Sequence, residues 1–145
     1  MAVQSAYRDA ERTNNSYRAV KQYKDLNLNF TRHPITKDIS PITDAAAVKR
    51  SVRNLIQYNY FEKPFHPEIG SNLRGMLFEN ISPQMTHFIG KQIELLIKNY
   101  EPRCRLVQVR NLPDLDRNGY FVSINFYVQN HPTPVIVESF LERLR

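Results

Sequence analysis

The chain has 145 residues, of which 41% are hydrophobic, and this suffices for one modest core in a single domain. Its 20 Lys and Arg residues outnumber its 14 Asp and Glu residues, and the net charge of +6 is spread along the chain. The lone Cys104 cannot form an internal disulfide, which favours a reducing compartment. No apolar run is long enough to predict a signal peptide or a membrane span.

Residues 1–42 are predicted to form an extended N-terminal arm. The segment is polar, contains Pro34 and Pro41, and carries apolar residues only at scattered positions. Because it buries too little apolar surface to offset its ordering entropy, we expect it to lie along its own domain or on a neighbour. A disordered tail is the alternative interpretation. The remainder, residues 43–145, is predicted to be a single domain.

Two stretches of this domain have helical spacing of their apolar residues, at about 44–58 and 83–100. The second helix is the better delimited. Ser82 is a good N-cap and Pro83 suits the first helical position. Pro102 ends the helix, because the residue before a proline is pushed out of the α region.

Strand-like alternation follows the second helix, at about 105–111 and 120–128. Asn118 and Gly119 between these strands favour a tight turn with positive φ angles. A third apolar run covers Val135, Ile136 and Val137. The order of elements predicts an α+β fold, with two main helices packed on one face of a small, mainly antiparallel sheet of about three strands.

The end of the second helix departs from ordinary helix chemistry. Glu101 places a carboxylate at the negative C-terminal pole of the helix, where it is disfavoured. Pro102 fixes the exit direction of the chain, and Arg103 adds a planar group that can bind a carboxylate at two points. We interpret this Glu-Pro-Arg corner, residues 101–103, as a docking site. A helix stop with an internal ion pair to Glu101 is the alternative, and it does not exclude docking.

The third strand offers a second candidate interaction site. Val135, Ile136 and Val137 form an uncharged edge whose unpaired backbone groups can accept a strand from another chain. The alternative is that the arm, or the two prolines Pro132 and Pro134, protects this edge within the monomer.

Catalytic and metal-binding chemistry is not indicated. The chain lacks a glycine-rich phosphate loop, a paired-cysteine zinc pattern and a nucleophile elbow, so we predict no catalytic residues, no metal and no cofactor. Glu68, Glu79 and Glu101 could in principle provide the carboxylate pair of a glycosidase, but nothing in the sequence distinguishes them from solvated or ion-paired carboxylates.

Nucleic-acid binding is a further alternative. Arg105, Arg110, Phe121 and Tyr127 would share the open face of the sheet, where charge pairing and base stacking could bind RNA or single-stranded DNA. Ordinary sheets contain the same residue types, and no RNP-like motif is present, so we predict no specific nucleic-acid partner.

Three short motifs resemble, in order and spacing, those of one known family. They are P-F-x-P-x-x-G, L-F-E-N and Y-E-P-R, carried by Pro64, Phe65, Pro67 and Gly70, by Leu77, Phe78, Glu79 and Asn80, and by Tyr100, Glu101, Pro102 and Arg103. The match spans about residues 48–141. It resembles the baseplate wedge family of contractile phage tails, relatives of the T-even gene-twenty-five product with counterparts in type VI secretion baseplates.

The resemblance implies a structural role in a virion. The chain would be a subunit of the tail baseplate, assembled in the host cytoplasm, with no membrane insertion. It would touch other wedge and inner-baseplate proteins through Glu101 and Arg103, close to the tail tube. The tail sheath protein would extend its small sheet, so that the chain initiates the sheath. Members of the family are sometimes labelled lysozyme-like, which implies a peptidoglycan-degrading hydrolase as the alternative function.

Overall fold

The computed structural model of the chain describes residues 23–129 and 131–144. In chain order the elements are β1 (Lys24–Asp25), β2 (Ile42–Thr43), α1 (Asp44–Gln57), α2 (Leu73–Met76), α3 (Pro83–Tyr100), β3 (Cys104–Asp114), β4 (Gly119–Val128) and β5 (Pro134–Glu142). The strands form one two-stranded and one three-stranded antiparallel sheet. The predicted α+β class is therefore confirmed.

The two main helices lie where their apolar spacing predicted them. The side-chain oxygen of Ser82 accepts a hydrogen bond from the backbone N–H of Met85 at 3.1 Å, so the predicted cap of α3 is formed. Thr43 occupies the equivalent position before α1, but its side chain makes no capping bond. Among the described helices, none is long and apolar enough to cross a membrane.

The larger sheet has the strand order β3-β4-β5, and α1 and α3 pack against one of its faces. Strand β4 lies in the centre and alternates between the core and the outer face, as its period of two predicted. The buried core is apolar and joins both helices to this sheet; it consists of Val48, Val52, Leu55, Ile56, Leu73, Leu77, Ile89, Ile93, Leu96, Ile97, Tyr120, Val122, Ile124, Phe126, Val128 and Val137.

The connection between β3 and β4 differs from the predicted tight turn. Asp114 pairs with Gly119, so Gly119 is already part of the strand, and residues 115–118 form the loop. Asn118 alone adopts a positive φ there, at 50°. The prediction of positive φ at both residues was wrong because the strands extend further than their alternation indicated, which leaves a longer loop that needs only one left-handed residue.

Most of the predicted arm, residues 1–22, lies outside the described residues. Residues 23–42 fold back along the domain: β1 pairs with β2, and Arg32 makes an isolated antiparallel bridge with Ile39. The guanidinium of Arg50 on α1 donates to the side-chain oxygens of Asn27 at 2.7 Å and Asn29 at 2.6 Å. This part of the segment thus lies on its own domain, while the division of the chain after residue 42 stays a prediction.

Candidate functional site: a buried ion pair and an open sheet edge

The Glu-Pro-Arg corner contains a buried, two-point ion pair. Glu101 is 2% exposed, although it is a carboxylate at the end of a helix. Arg103 donates from Nε to Oε1 of Glu101 at 2.6 Å and from a terminal nitrogen to Oε2 at 2.8 Å. This is the geometry in which an arginine binds a carboxylate most strongly. The internal pairing considered as an alternative from the sequence is therefore present.

The electrostatics of the corner keep both groups charged. Burial by itself raises the pKa of Glu101, but hydrogen bonding to Arg103 and Ser51, together with the positive charge of Arg103, outweighs burial and holds the pKa below its usual value. Hydrogen bonding to Glu101 raises the pKa of Arg103 further. The pair behaves as a fixed structural unit at neutral pH, because neither group can lose its charge there.

The N-terminal segment covers this corner, which the sequence motifs did not predict. Arg103 donates to Asp25 at 3.3 Å, and its guanidinium carbon lies 5.7 Å from the centre of the Tyr23 ring. The hydroxyl of Tyr23 donates to the side chain of Gln129, which in turn donates to the carbonyl of Pro102 at 3.0 Å. No sequence signal links these residues, since Tyr23 and Asp25 lie about eighty positions before the motif.

An open groove adjoins the corner, with a volume of about 600 Å³. It runs between α3 and β3 and is lined by Leu95, Glu101, Pro102 and Leu106, among others. Leu95 is 53% exposed, so the groove presents apolar surface to solvent next to the charged pair. The rest of the lining includes the charged residues Lys91, Glu94 and Lys98, so the groove combines apolar and charged surface.

The β5 edge, at residues 134–142, is unpaired within the part of the chain that the structure describes. The backbone N–H of Arg143 donates to the carbonyl of Asn118 at 2.9 Å, which marks a hydrogen-bonded pair of the β4–β5 ladder. Because such pairs alternate in an antiparallel ladder, the backbone groups of Val135 and Val137 point toward β4, and those of Ile136 point outward. The edge predicted from Val135, Ile136 and Val137 therefore exists in the described chain.

The L-F-E-N motif anchors the end of β5. Leu77 is buried, and its carbonyl accepts from the backbone of Leu144 at 2.9 Å. Arg143 donates to the carbonyl of Glu79 at 3.0 Å and to the side chain of Asn80 at 2.7 Å. Phe78, by contrast, is 55% exposed. The motif holds the last strand against the helical side of the domain.

The P-F-x-P-x-x-G motif lies in the loop between α1 and α2, residues 58–72. Gly70 is buried with φ of 153°, and a Cβ there would lie 2.5 Å from the carbonyl oxygen of Asn59. Glycine is thus required by this close approach. Pro64 and Pro67 are exposed, and Phe65 is almost fully exposed.

Two of the three candidate hydrolase carboxylates, Glu68 and Glu101, do not have the raised pKa of a general acid. Backbone hydrogen bonding, followed by hydrogen bonding to His66, lowers the pKa of Glu68, and Glu101 has a lowered pKa and is paired with Arg103. A glycosidase acid needs a raised pKa.

The free thiol of Cys104 is not a candidate nucleophile. Burial and the nearby Glu101 raise the pKa of Cys104 to about 11, which keeps the thiol protonated and unreactive at neutral pH.

Within residues 23–129 and 131–144, no group of three or more His, Cys, Asp or Glu side chains is arranged to hold a metal ion.

The four residues considered for nucleic-acid binding are exposed and share the outer face of the sheet; they are Arg105, Arg110, Phe121 and Tyr127. Their register also brings Glu138 into line with Arg110 across Ser123. A carboxylate in that row disfavours a phosphate backbone on the face.

Comparison with known proteins identifies the family. A family model described as Baseplate wedge protein gp25 matches residues 43–133. Baseplate wedge protein gp25 of Enterobacteria phage T4 is 32% identical over 115 residues, which covers 79% of this chain and 86% of that relative. The family-model match includes the three motifs and the elements from α1 to β4.

Solved structures share the fold at lower identity. A crystal structure described as a putative tail lysozyme from Geobacter sulfurreducens has a TM-score of 0.63 at 17% identity, over 68% of this chain and 89% of that one. The baseplate of the anti-feeding prophage contains a chain with a TM-score of 0.59 at 20% identity, over 86% and 88% of the two chains. A chain of the postcontracted pyocin R2 baseplate has a TM-score of 0.52 at 18% identity, over 81% of this chain and 98% of that one. The chain belongs to the baseplate wedge protein gp25 family.

Proposed function

We propose that the chain is a structural subunit of a contractile tail baseplate, which docks to other baseplate proteins and provides the sheet edge on which the tail sheath begins. Family membership and the similarity to chains of two solved baseplates support the first part. The single observation that carries the second part is that, among residues 23–129 and 131–144, no strand pairs with the outer side of β5. No bond is made or broken in this role.

Strand β5 is better suited to accept an added strand than β3, the other edge of the sheet. Strand β3 has a register irregularity between Leu106 and Gln108 and contains Pro113. Bulges and prolines are two of the devices by which proteins protect sheet edges from pairing. In β5, Pro134 stands at the first position, and the alternation of the ladder points its missing donor outward without interrupting the rest of the edge.

The side chains along β5 fit strand addition as well. Ile136 is 51% exposed and Phe140 is 37% exposed, and both lie on the outer face of the sheet. An incoming strand would place its own apolar residues beside them, and each cross-strand pair would add about 0.2–1 kcal/mol to the backbone hydrogen bonds. We therefore infer that the tail sheath protein supplies an extended segment with alternating apolar residues.

The Glu-Pro-Arg corner is proposed to dock the chain into the wedge. Since Arg103 already satisfies Glu101 at two points, we infer that the ion pair fixes the turn, and that the exposed Pro102 and the adjoining groove contact the partner. Compared with Glu101, Asp25 accepts longer hydrogen bonds from Arg103, at 3.3 and 3.4 Å. A carboxylate of the partner could replace it without breaking the Glu101 pair.

The templating role is tested by proline substitutions one residue apart. In Ile136→Pro the outward donor is lost, so baseplates should form but carry no sheath, while the isolated chain still unfolds cooperatively. In Val135→Pro a donor to β4 is lost, and the isolated chain should be destabilised. Ile136→Val serves as the matched control with normal tails. Electron microscopy of assembled tails and thermal unfolding are the measurements, and normal sheaths in Ile136→Pro would refute the role of β5.

A further inference from the structure

The loop of residues 58–72 exposes two phenylalanine rings that the core does not use. Phe61 is 84% exposed and Phe65 is 97% exposed. Ordinary surface positions tolerate single apolar residues, but two aromatic side chains of one loop that are both exposed to this degree exceed what a surface in contact with water alone requires. Neither ring contributes to the buried core of the domain.

Both phenylalanines also have backbone angles that bulky residues seldom adopt. The φ angle is 67° at Phe61 and 66° at Phe65, in the left-handed region that favours glycine. A glycine or asparagine would relieve this strain at either position. Retained strain of this kind clusters at functional sites, because the surrounding structure has to enforce it.

Polar contacts hold the loop in this conformation. The backbone N–H of Phe61 donates to the carbonyl of Pro67 at 3.0 Å, and the side chain of Asn59 donates to Glu62 at 2.6 Å. The hydroxyl of Tyr100 on α3 donates to the carbonyl of Glu68 at 2.7 Å. The loop is therefore fixed by hydrogen bonds within itself and by one bond to α3, while its two phenyl rings remain exposed. A ring presented in this way loses little conformational entropy on binding.

The surroundings of the rings indicate the chemistry of the partner. The loop carries both signs of charge, because Lys63 stands between Glu62 and Phe65, and hydrogen bonding to Asn59 lowers the pKa of Glu62. With a single lysine beside Glu62 and Glu68, the loop lacks the basic cluster that binds phosphate backbones and anionic lipid headgroups. The rings themselves carry no hydrogen-bonding group, so they match an apolar pocket on a protein surface.

We propose that residues 58–72 form an aromatic anchor, in which Phe65, flanked by Phe61, inserts into an apolar pocket of a neighbouring baseplate protein. The proposal rests on the proposed function, because it takes the partner from the same assembly. It adds a third contact that is separate from the Glu-Pro-Arg corner and the β5 edge. Buried aromatic anchors of this kind contribute a large share of the binding energy at protein interfaces.

The first test separates stability from assembly. Phe65→Gly removes the ring and relieves the backbone strain, so the melting temperature of the isolated chain should stay the same or rise. Its incorporation into baseplates, measured by competition with the unaltered chain, should fall at least tenfold. The matched control is Leu115→Gly in the β3–β4 loop, where a 75% exposed side chain is removed and incorporation should not change. Equal incorporation of Phe65→Gly and the unaltered chain would overturn the proposal.

A crosslinking test does not depend on the stability of a variant. A photoreactive benzoylphenylalanine at position 65 should crosslink, in assembled tails, to one other baseplate protein. Crosslinks no stronger than those from position 115, or crosslinks only to a second copy of the chain or to the sheath protein, would overturn the proposal. A failure of the proposed sheath role would be seen in a different experiment, because Ile136→Pro would then give fully sheathed tails.

Discussion

At the scale of single residues, Glu101 is a buried carboxylate whose charge needs compensation. A carboxylate at the C-terminal pole of a helix is unfavourable by itself, and at 2% exposure it also loses its hydration. Arg103 compensates for both effects through two short hydrogen bonds. Ser51 adds a hydrogen bond, but Arg103 supplies the compensating positive charge, so the buried carboxylate should be sensitive to the loss of Arg103.

We therefore expect Arg103→Ala to lower the free energy of unfolding by about 3–5 kcal/mol at neutral pH, because it leaves the Glu101 carboxylate buried and unpaired. Asp25→Asn removes only the longer contact to Arg103 and should cost less than about 1 kcal/mol. Urea denaturation of the isolated chains gives both values. An Arg103→Ala chain as stable as the unaltered one would show that the ion pair contributes no stability.

The same substitution should have a characteristic pH dependence. The pKa of Glu101 in the folded chain lies below its ordinary value of 4.5, so the stabilisation from the ion pair is present above that value and is lost as the pH falls through the lower folded-state pKa. In Arg103→Ala the lowering effect of Arg103 on the pKa of Glu101 is lost while burial still raises it, so the stability difference from the unaltered chain should shrink as the pH falls from the higher Glu101 pKa of the variant toward the lower one of the unaltered chain. A difference that stays constant down to pH 3 would contradict the charged pair.

At the scale of elements, the loop between α1 and α2 is an ordered part of the domain. Asn59 makes an isolated parallel bridge with Ser71, and the N–H of Ser71 donates to the carbonyl of Tyr58 at 3.1 Å. Gly70 allows the two ends of the loop to approach this closely. The aromatic anchor depends on this closure, because it fixes the intervening residues.

A pair of glycine substitutions tests this closure. In Gly70→Ala the added Cβ would meet the backbone oxygen of Asn59 at 2.5 Å and the residue would keep a φ of 153°, so we expect a loss of about 2 kcal/mol or more. In Gly90→Ala the nearest atom lies 4.0 Å away and the position is inside α3, so the same change should stabilise the chain by about 0.5–1 kcal/mol. Thermal unfolding of both variants is the measurement. Equal effects at the two sites would show that the close approach at Gly70 is absent.

At the scale of the whole molecule, the domain uses one face of its sheet for the core, and within the described residues the other face and the edge strands β3 and β5 carry no further layer or strand. Both main helices cover the inner face, and the row of Leu112, Phe121 and Phe140 lies on the outer one. A domain built in this way presents several separate surfaces to neighbours. That arrangement suits a subunit inside an assembly better than an enzyme, which concentrates its polar chemistry in one cleft.

The purified chain is accordingly expected not to degrade cell walls. A suspension of peptidoglycan should keep its turbidity when the chain is added, while a muramidase in a parallel sample clears it. Clearing that disappears in Glu68→Gln or Glu101→Gln would establish a hydrolase and overturn the structural assignment. The lowered pKa values of these two carboxyl groups are the physical reason for the expectation.

The local signals in the sequence predicted the elements of this protein and the order in which they occur. The ends of α3 were predicted from Ser82, Pro83 and Pro102, because helix caps and prolines act through short-range sterics. The period of two in β4 separated core positions from surface positions, because side chains alternate along a strand. The motifs around Phe65, Leu77 and Glu101 carried the resemblance to the family. The hairpin loop was less accurate, since strand length depends on pairing with β5 as well as on local residues.

Only the tertiary structure decided how these elements combine into surfaces. The contacts of Arg103 with Tyr23 and Asp25 join residues about eighty positions apart, which no local pattern encodes. The direction of the Ile136 backbone followed from the ladder register, and the exposure of Phe65 followed from the closure of its loop at Gly70. Composition and spacing fix which residues are apolar or charged, but long-range pairing and packing determine which of them are buried and which remain available to a partner.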